Sequence, residues 1–350
     1  MFISISKYAK AVRLAVVMAA GIAAFLLSSC STIWDDQAEC DFGLQIRFKY
    51  DYNMSFGDAF ASQVGRVSVY VFNEAGEFVT SKTEEGSQLT QEDYRMKFEL
   101  PDGKYRFICW GGKYDDSFTH HKLTDDCTPA VDLLEALMLR DADNEVKCAD
   151  GCPLRSLFWG QIPSLEVKAK SIQEETLSLM KLTNQIKVNL VNGNGEPIST
   201  ESFDFHMKGT NGRICADDAC LLEDDQVKFH PYFLAEKEAI TTYGTRATRE
   251  GITAEFSCPR IISDDKELRL HAIDKNTGKD VLDFPVAACL SAYAPSAYET
   301  ADGMIHFLDP QEFLDRSDLF NLTFILLDGN WASVDIQVLS WNMRVHNVDL

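Results

Sequence analysis

Positive charge is scarce in this chain of 350 residues. Its 33 lysines and arginines stand against 54 aspartates and glutamates, a formal net charge of −21. Such a surface repels polyphosphate, which argues against nucleic acid as a partner. Long apolar runs are lacking as well. Leu14 to Leu27 spans fourteen residues, short of the ~20 that a ~30 Å hydrocarbon core demands. Nothing after residue 30 approaches that length, so no second membrane element is called for. Catalytic signatures are missing too: there is no GxSxG and no HExxH. Asn192-Gly193-Asn194-Gly195 has neither the GxGxxG pattern nor a P-loop lysine and reads as a hairpin turn. Ser178-Leu-Met-Lys181 matches SxxK, but the companion SDN and KTG motifs are absent. His120-His121 sits among acids without ligand spacing. Acid pairs are too plentiful to single out a glycosidase pair. No enzyme, no metal site and no small-molecule substrate is expected.

What is present begins with the leader. Lys7, Lys10 and Arg13 precede the apolar run, and Ser28 and Ser29 follow it. That is the order of a secretory signal peptide. Leu27-Ser28-Ser29-Cys30 resembles the bacterial lipobox, in which the cysteine thiol is diacylated and the leader is cut just before it. The alternative is an ordinary signal peptide with a chance cysteine. Cys30 is therefore the expected lipidation site, and its covalent lipid the one expected non-protein group. Two or more acyl chains anchor stably where one does not. Asp35 and Asp36 resemble the surface-export signal of Bacteroidota lipoproteins, which implies an outward-facing position on the outer membrane.

Nine cysteines follow Cys30, an odd count that forbids complete internal pairing. Cys148 with Cys152, and Cys215 with Cys220, are close pairs in turn-like sequence. They can be disulfides of an oxidising envelope, free thiols, or zinc ligands, although the spacing is not CxxC. Cys109 lies in a strand pattern beside Tyr105 and Phe107 and reads as core.

About 320 residues remain after the leader, enough for two domains of ordinary size. Residues 1–29 form the signal peptide and 30–39 a lipidated tether. A first β-sandwich is expected over 40–181 and a second over 182–350. Phe42, Leu44, Ile46, Phe48 and Tyr50 alternate with polar residues, the mark of a half-buried strand. "VGRVSVYVFNEAGEFV" repeats that pattern around a turn at Glu74-Ala75-Gly76. "YRMKFELPDGKYRFICW" predicts a hairpin at Asp102-Gly103. Thr128, Pro129, Val131, Leu134, Leu137 and Met138 have the spacing of a capped helix. After residue 183 further strands are expected near 203–207, 252–256, 268–273 and 281–286. Asp309, Pro310 and Glu312 predict a short capped helix, followed by two long alternating segments. Trp110, Trp159 and Trp341 border strands, where packing outweighs sugar stacking. The fold class is all-β with minor helix: two tandem sandwiches.

Residues 40–79, "CDFGLQIRFKYDYNMSFGDAFASQVGRVSVYVFNEAGEFV", resemble the opening of FimB-like fimbrial anchor subunits of Bacteroidales, within the fimbrillin superfamily of type V pili. "LPDGKYRFICWGG", "SLFWGQI", "LTNQIKVNL" and "QEFLDRSDLFNLTFILLDGNWASVDIQVLSWNMRV" resemble later elements of that family in the same order. Trp159 stands where the family has His, and residues 200–300 match least. The resemblance implies two transthyretin-like sandwiches and a lipoprotein that fixes a pilus to the outer membrane. It further implies pilin subunits as partners, bound by strand exchange. An adhesin or tip subunit, a glycan-binding surface lipoprotein and an envelope hydrolase are the rival readings. Val334 to Val345 either completes its own sandwich or is a strand for donation.

Overall fold

The computed structural model describes residues 42–120, 135–148, 151–241, 248–292, 294–300, 302–338 and 341–346. The expected signal peptide, Cys30 and the tether lie outside the described residues. The first half contains β1 (Gly43–Tyr52), α1 (Phe60–Gln63), β2 (Arg66–Asn73), β3 (Phe78–Glu85), β4 (Met96–Phe98), β5 (Gly103–Gly111), β6 (Phe118–His120), β7 (Glu135–Met138), β8 (Glu145–Val146), β9 (Phe158–Val167) and β10 (Ile172–Lys181). Seven of these strands form one sheet in the order β3-β2-β5-β9-β10-β1-β4. The sheet folds on itself, because β9 and β10 share only the pairs Trp159 with Met180 and Phe158 with Lys181. Leu44, Ile46, Phe48 and Leu177 of one wing then meet Val67, Val69, Phe107 and Cys109 of the other in a common core. Phe98 on β4 meets Phe107 on β5 edge-on at 5.9 Å across it. Gly160 is needed at the crossing, where a Cβ would lie 2.3 Å from the Ser178 carbonyl oxygen.

Three sequence expectations change here. β4 and β5 are not a hairpin: β4 pairs with β1, whereas β5 pairs with β2 and β9. Pro101-Asp102 is a corner between the wings, held by Ala169 N–H donating to Asp102 Oδ1 at 2.7 Å. Alternation identifies a strand, not its partner. The expected helix near residue 130 ends in extended chain, since Leu137 and Met138 belong to β7; its earlier residues lie outside the described set. Finally, β2 is buried on both faces rather than half-exposed. Val67, Val69 and Val71 enter the sandwich core, while Tyr70 and Phe72 join Ile108 and Trp110 in a second cluster shared with the other half.

That half contains β11 (Thr183–Asn192), β12 (Phe203–Gly209), β13 (Arg213–Cys215), β14 (Val227–Phe229), β15 (Phe233–Thr241), β16 (Thr248–Pro259), β17 (Arg269–Asp274), β18 (Asp280–Pro285), α2 (Val286–Ala292), β19 (Ala297–Glu299), β20 (Ile305–Phe307), α3 (Pro310–Arg316), β21 (Leu319–Leu327), β22 (Asn330–Val338) and β23 (Trp341–His346). A six-stranded sheet, β15-β16-β11-β21-β22-β23, packs on a five-stranded one, β18-β17-β12-β14-β8. Phe284 meets Phe324 at 5.0 Å and Trp331 at 5.7 Å between them, both edge-on. The chain is thus all-β with minor helix, built as tandem sandwiches. It leaves the first sheet at Lys181 and enters the second at Thr183. The halves also exchange strands. β8 runs parallel to β14, and β7 pairs with β13 in a three-stranded sheet with β6. α3 starts as its sequence predicts, with Glu312 N–H donating to Asp309 Oδ1 at 2.8 Å. The Glu312 side chain turns instead to Arg316.

His206 on β12 is buried and stacks on His271 of β17, ring centroids 5.1 Å apart. Burial, and then the neighbouring His271, push its pKa down to about 4; Asp204 opposes them, and Lys228 and Lys208 add to them. An unfolded histidine takes up its proton near pH 6.5, whereas the folded one resists until near pH 4. This contribution is therefore complete above pH 6.5 and is lost as pH falls from there toward 4. Urea unfolding at pH 5 and pH 7 should show His206→Phe losing about 2 kcal/mol less than the wild type over that interval. Equal losses would remove His206 from the acid response.

Candidate functional site

The feature that organises the molecule is the joint between its halves. It begins in the loop after β1. Asn53 is buried, and its Nδ2 donates to the carbonyls of Tyr50 at 3.0 Å and Gly57 at 2.9 Å. Its Oδ1 accepts from Ser55 N–H at 3.0 Å. Asp58 Oδ1 accepts from Tyr50 N–H and Phe60 N–H, each at 3.0 Å. These bonds hold Phe56 at φ +54°, a left-handed conformation that a bulky residue adopts only under restraint. Its ring faces out of the loop and stacks on His306 of β20.

α3 answers from the second half. The Arg316 guanidinium lies 4.2 Å from the ring centroids of both Tyr52 and Phe56. It donates to the Asp51 carbonyl at 3.1 Å, and through Nε to Glu312 at 2.8 Å. Asp315, on the same helix, takes a bidentate pair from Arg260 at 2.7 and 2.6 Å, with only 4% of its side chain exposed. Gln311 donates to the Ile261 carbonyl at 3.1 Å. Lys181 at the end of β10 pairs with Asp318 at 2.9 Å. Burial, followed by the charges of Asp315 and Glu312, raises the Tyr52 hydroxyl pKa, so the phenol stays neutral. Beside α3 lies a cleft of about 390 Å³, bounded by Tyr50, Asn53, Met54, Arg316, Asp318 and Val338.

A second contact comes from the loop closed by the Cys215–Cys220 disulfide, whose Cα atoms are 5.5 Å apart. Asp218 and Ala219 take left-handed φ values of 58° and 50° in it. The turn aims three consecutive groups at the first half. Ala216 O accepts from Trp159 Nε1 at 3.0 Å, Asp217 pairs with Arg106, and Asp218 accepts from Gln161 at 2.6 Å. Ala219 O accepts from Arg260 at 2.7 Å, so the loop and α3 share one arginine.

The three large sheets end in strands with a neighbour on one side only among the described residues: β3 and β4, β15 and β23, β18 and β8. β22 pairs with β21 and β23 pairs with β22, so the described residues of the segment Val334 to Val345, 334–338 and 341–345, lie in its own sheet. Arg344 and Asp335 pair across those last two strands.

Other sequence candidates are dispersed. Cys30 lies outside the described residues. Cys148 is half-buried against the core and Cys152 is exposed; both thiols are free, at the rim of a recess of about 610 Å³. Between them in sequence, Gly151 N–H is tied to the Tyr232 carbonyl of the second half at 2.8 Å. Cys109 is fully buried, and desolvation raises its thiol pKa far above the ordinary value. The lysine of SxxK is the one paired with Asp318, so no free amine faces Ser178. Trp110 and Trp331 are buried. His120 lies in β6 and His121 outside the described residues. Among the described residues no group of three His, Cys, Asp or Glu side chains is placed to hold a metal. No helix there is long and apolar enough to cross a membrane. Sequence reasoning missed the joint, although both its ends were visible as the segments "YDYNM" and "LDR". Nothing local says that residues 51 and 316 meet.

The profile of the family described as fimbrillin-A associated anchor proteins Mfa1 and Mfa2 matches residues 37–347. A candidate polysaccharide-binding protein of Bacteroides thetaiotaomicron has TM-score 0.73 and 29% identity, covering 88% of this chain and 100% of that one. A candidate adhesin of the same organism has TM-score 0.73 and 28% identity, with coverage of 89% and 100%. The fimbrial anchor protein Mfa2 from Porphyromonas gingivalis has TM-score 0.63 over 87% of this chain and 99% of its own, and at 17% identity that likeness concerns the fold. A search of curated proteins finds no match.

Asp315→Ala should destabilise the chain by about 3–5 kcal/mol, because it takes the carboxylate from the largely covered Arg260 guanidinium and leaves it only carbonyl partners. Asp315→Leu with Arg260→Met should recover most of that loss. Urea unfolding at neutral pH tests the pair, and a double variant as weak as the single one would refute this account of the joint.

Proposed function

This chain belongs to the family of fimbrillin-A associated anchor proteins, whose members are of the fimbrial accessory and adhesin type, and from that membership we propose that it is a non-catalytic surface lipoprotein fixing a type V pilus to the outer membrane. The observation that carries the reading is the extent of the match, which runs from the segment behind Cys30 through both sandwiches. In this reading Cys30 is the lipid-bearing first residue, and fimbrillin subunits are the partners. A pilin strand adding to a sheet edge gains a ladder of backbone hydrogen bonds and needs no reactive side chain. The joint suits the task mechanically. A pull on the tether enters β1 along its axis, so its bonds to β10 and β4 share the load. It then passes through the Asn53 loop to Arg316 and α3, and on into β21.

A second reading, a tip or adhesin subunit or a glycan-binding surface lipoprotein, is favoured by the two Bacteroides thetaiotaomicron relatives at 28% and 29% identity. One experiment separates them. In cells carrying Cys30→Ala, fibres on cells and in the medium are counted by electron microscopy, and the protein is followed by immunoblot in each fraction. The anchor reading expects the protein to leave the membrane and fibres to be shed. Normal fibres on cells whose protein has left the membrane would sink it and favour the adhesin reading.

A further inference from the structure

The tip of the first sandwich from which the tether departs has an unusual surface. Phe42 is 49% exposed and Ile172 64% exposed. They are neighbours at the start of two parallel strands: Gly43 faces Ile172 in register, and Gly43 N–H donates to the Ser171 carbonyl at 2.9 Å. The turn joining β9 to β10 is Lys168-Ala169-Lys170-Ser171. Together with Lys104, Asp102 and Glu166 it borders an open recess of about 1040 Å³. Lys104 is engaged by Glu74 at 3.3 Å, and Asp102 by the Ala169 N–H. Among the described residues Lys168 and Lys170 have no carboxylate within ion-pair distance. Two unpaired cations thus sit beside two exposed apolar side chains, with Glu166 on the same recess.

We infer that this tip docks on the lipid surface that holds Cys30, with Phe42 and Ile172 entering the interface and Lys168 and Lys170 meeting anionic headgroups. The inference rests on Cys30 being the lipid anchor. Eleven residues separate Cys30 from Phe42, so whatever their conformation the tip stays within about 40 Å of the lipid. Such a leash keeps the tip at high effective concentration over the surface. Charge then selects the orientation. An anionic surface attracts the lysine turn and repels the acidic remainder, and apolar groups beside cations are what an interface accepts. β1 leads away from the tip, which would set the joint roughly 30 Å further out.

The test uses the full lipidated chain in vesicles of phosphatidylethanolamine with phosphatidylglycerol, and in vesicles of phosphatidylcholine alone. Acetylation of lysines by a water-soluble reagent is followed by mass spectrometry, with exposed Lys275 as internal reference. Docking expects Lys168 and Lys170 to react about fivefold more slowly on the anionic vesicles, the factor one lysine at such a surface supplies. Ile172→Asp, a change at an exposed position, should abolish the protection. Equal rates on both vesicles, with the chain still floating with lipid, would overturn the docking and leave the anchor intact. Protection that rises with chain density at fixed lipid composition would assign the tip to a second copy and also overturn it. Failure to float would remove the lipid anchor and the docking together.

Discussion

One guanidinium holds the halves in a fixed relation. Arg316 stacks on two aromatic rings of the first half and donates to its backbone, while its helix is bound to the second half through Asp315 and Gln311. Arginine suits this position because its plane stacks while its edge donates. A lysine could offer the charge but not the geometry. The Asp315–Arg260 pair is buried and bidentate, which specifies one arrangement strongly even where its net contribution to stability is modest.

The joint matters because the first sheet is not a self-contained sandwich. β2 and β5 carry apolar side chains on both faces, and the outer set needs a cover. The cover is the three-stranded sheet together with the disulfide loop, which brings Ile214, Ala216 and Ala219 into the same cluster as Tyr70 and Trp110. Small side chains at 216 and 219 let the loop backbone come close enough for its carbonyls to meet Trp159 and Arg260. Apolar burial therefore joins the halves broadly, and the polar contacts around α3 fix their angle.

Strands and caps were legible in the sequence because their signals are local. Alternation marked β1 and β21, and Asp309-Pro310 marked the start of α3. Partners were not legible. Asp102-Gly103 looked like a hairpin because two alternating runs flank it, yet each run had a better-matched neighbour elsewhere in the chain. The unbroken apolar runs Val69-Tyr70-Val71-Phe72 in β2 and Phe107-Ile108-Cys109-Trp110 in β5 could have signalled burial on both faces, since such runs lack clean alternation. The joint escaped because its two ends are separated by some 260 residues, and part of the tie runs through backbone carbonyls, which leave no trace in side-chain identity. "YDYNM" and "LDR" were visible as resemblance before their contact gave them a physical reason. The close cysteine pairs looked alike by spacing. The 215–220 turn is closed by a disulfide, whereas Cys148 and Cys152 are free and Gly151 beside Cys152 is tied to Tyr232.

The exchange of β7 and β8 into the second half bears on how such a chain can be made. Synthesis from the N-terminus delivers β7 long before β13, and β8 long before β14. Until residue 229 has emerged, two strand edges and the outer face of β2 and β5 have nothing to pair with or pack against. Folding therefore cannot finish one sandwich at a time in order of arrival. Long-range pairings of this kind form slowly and leave sticky intermediates. The pairings that join the halves therefore form only after β13 and β14 are available.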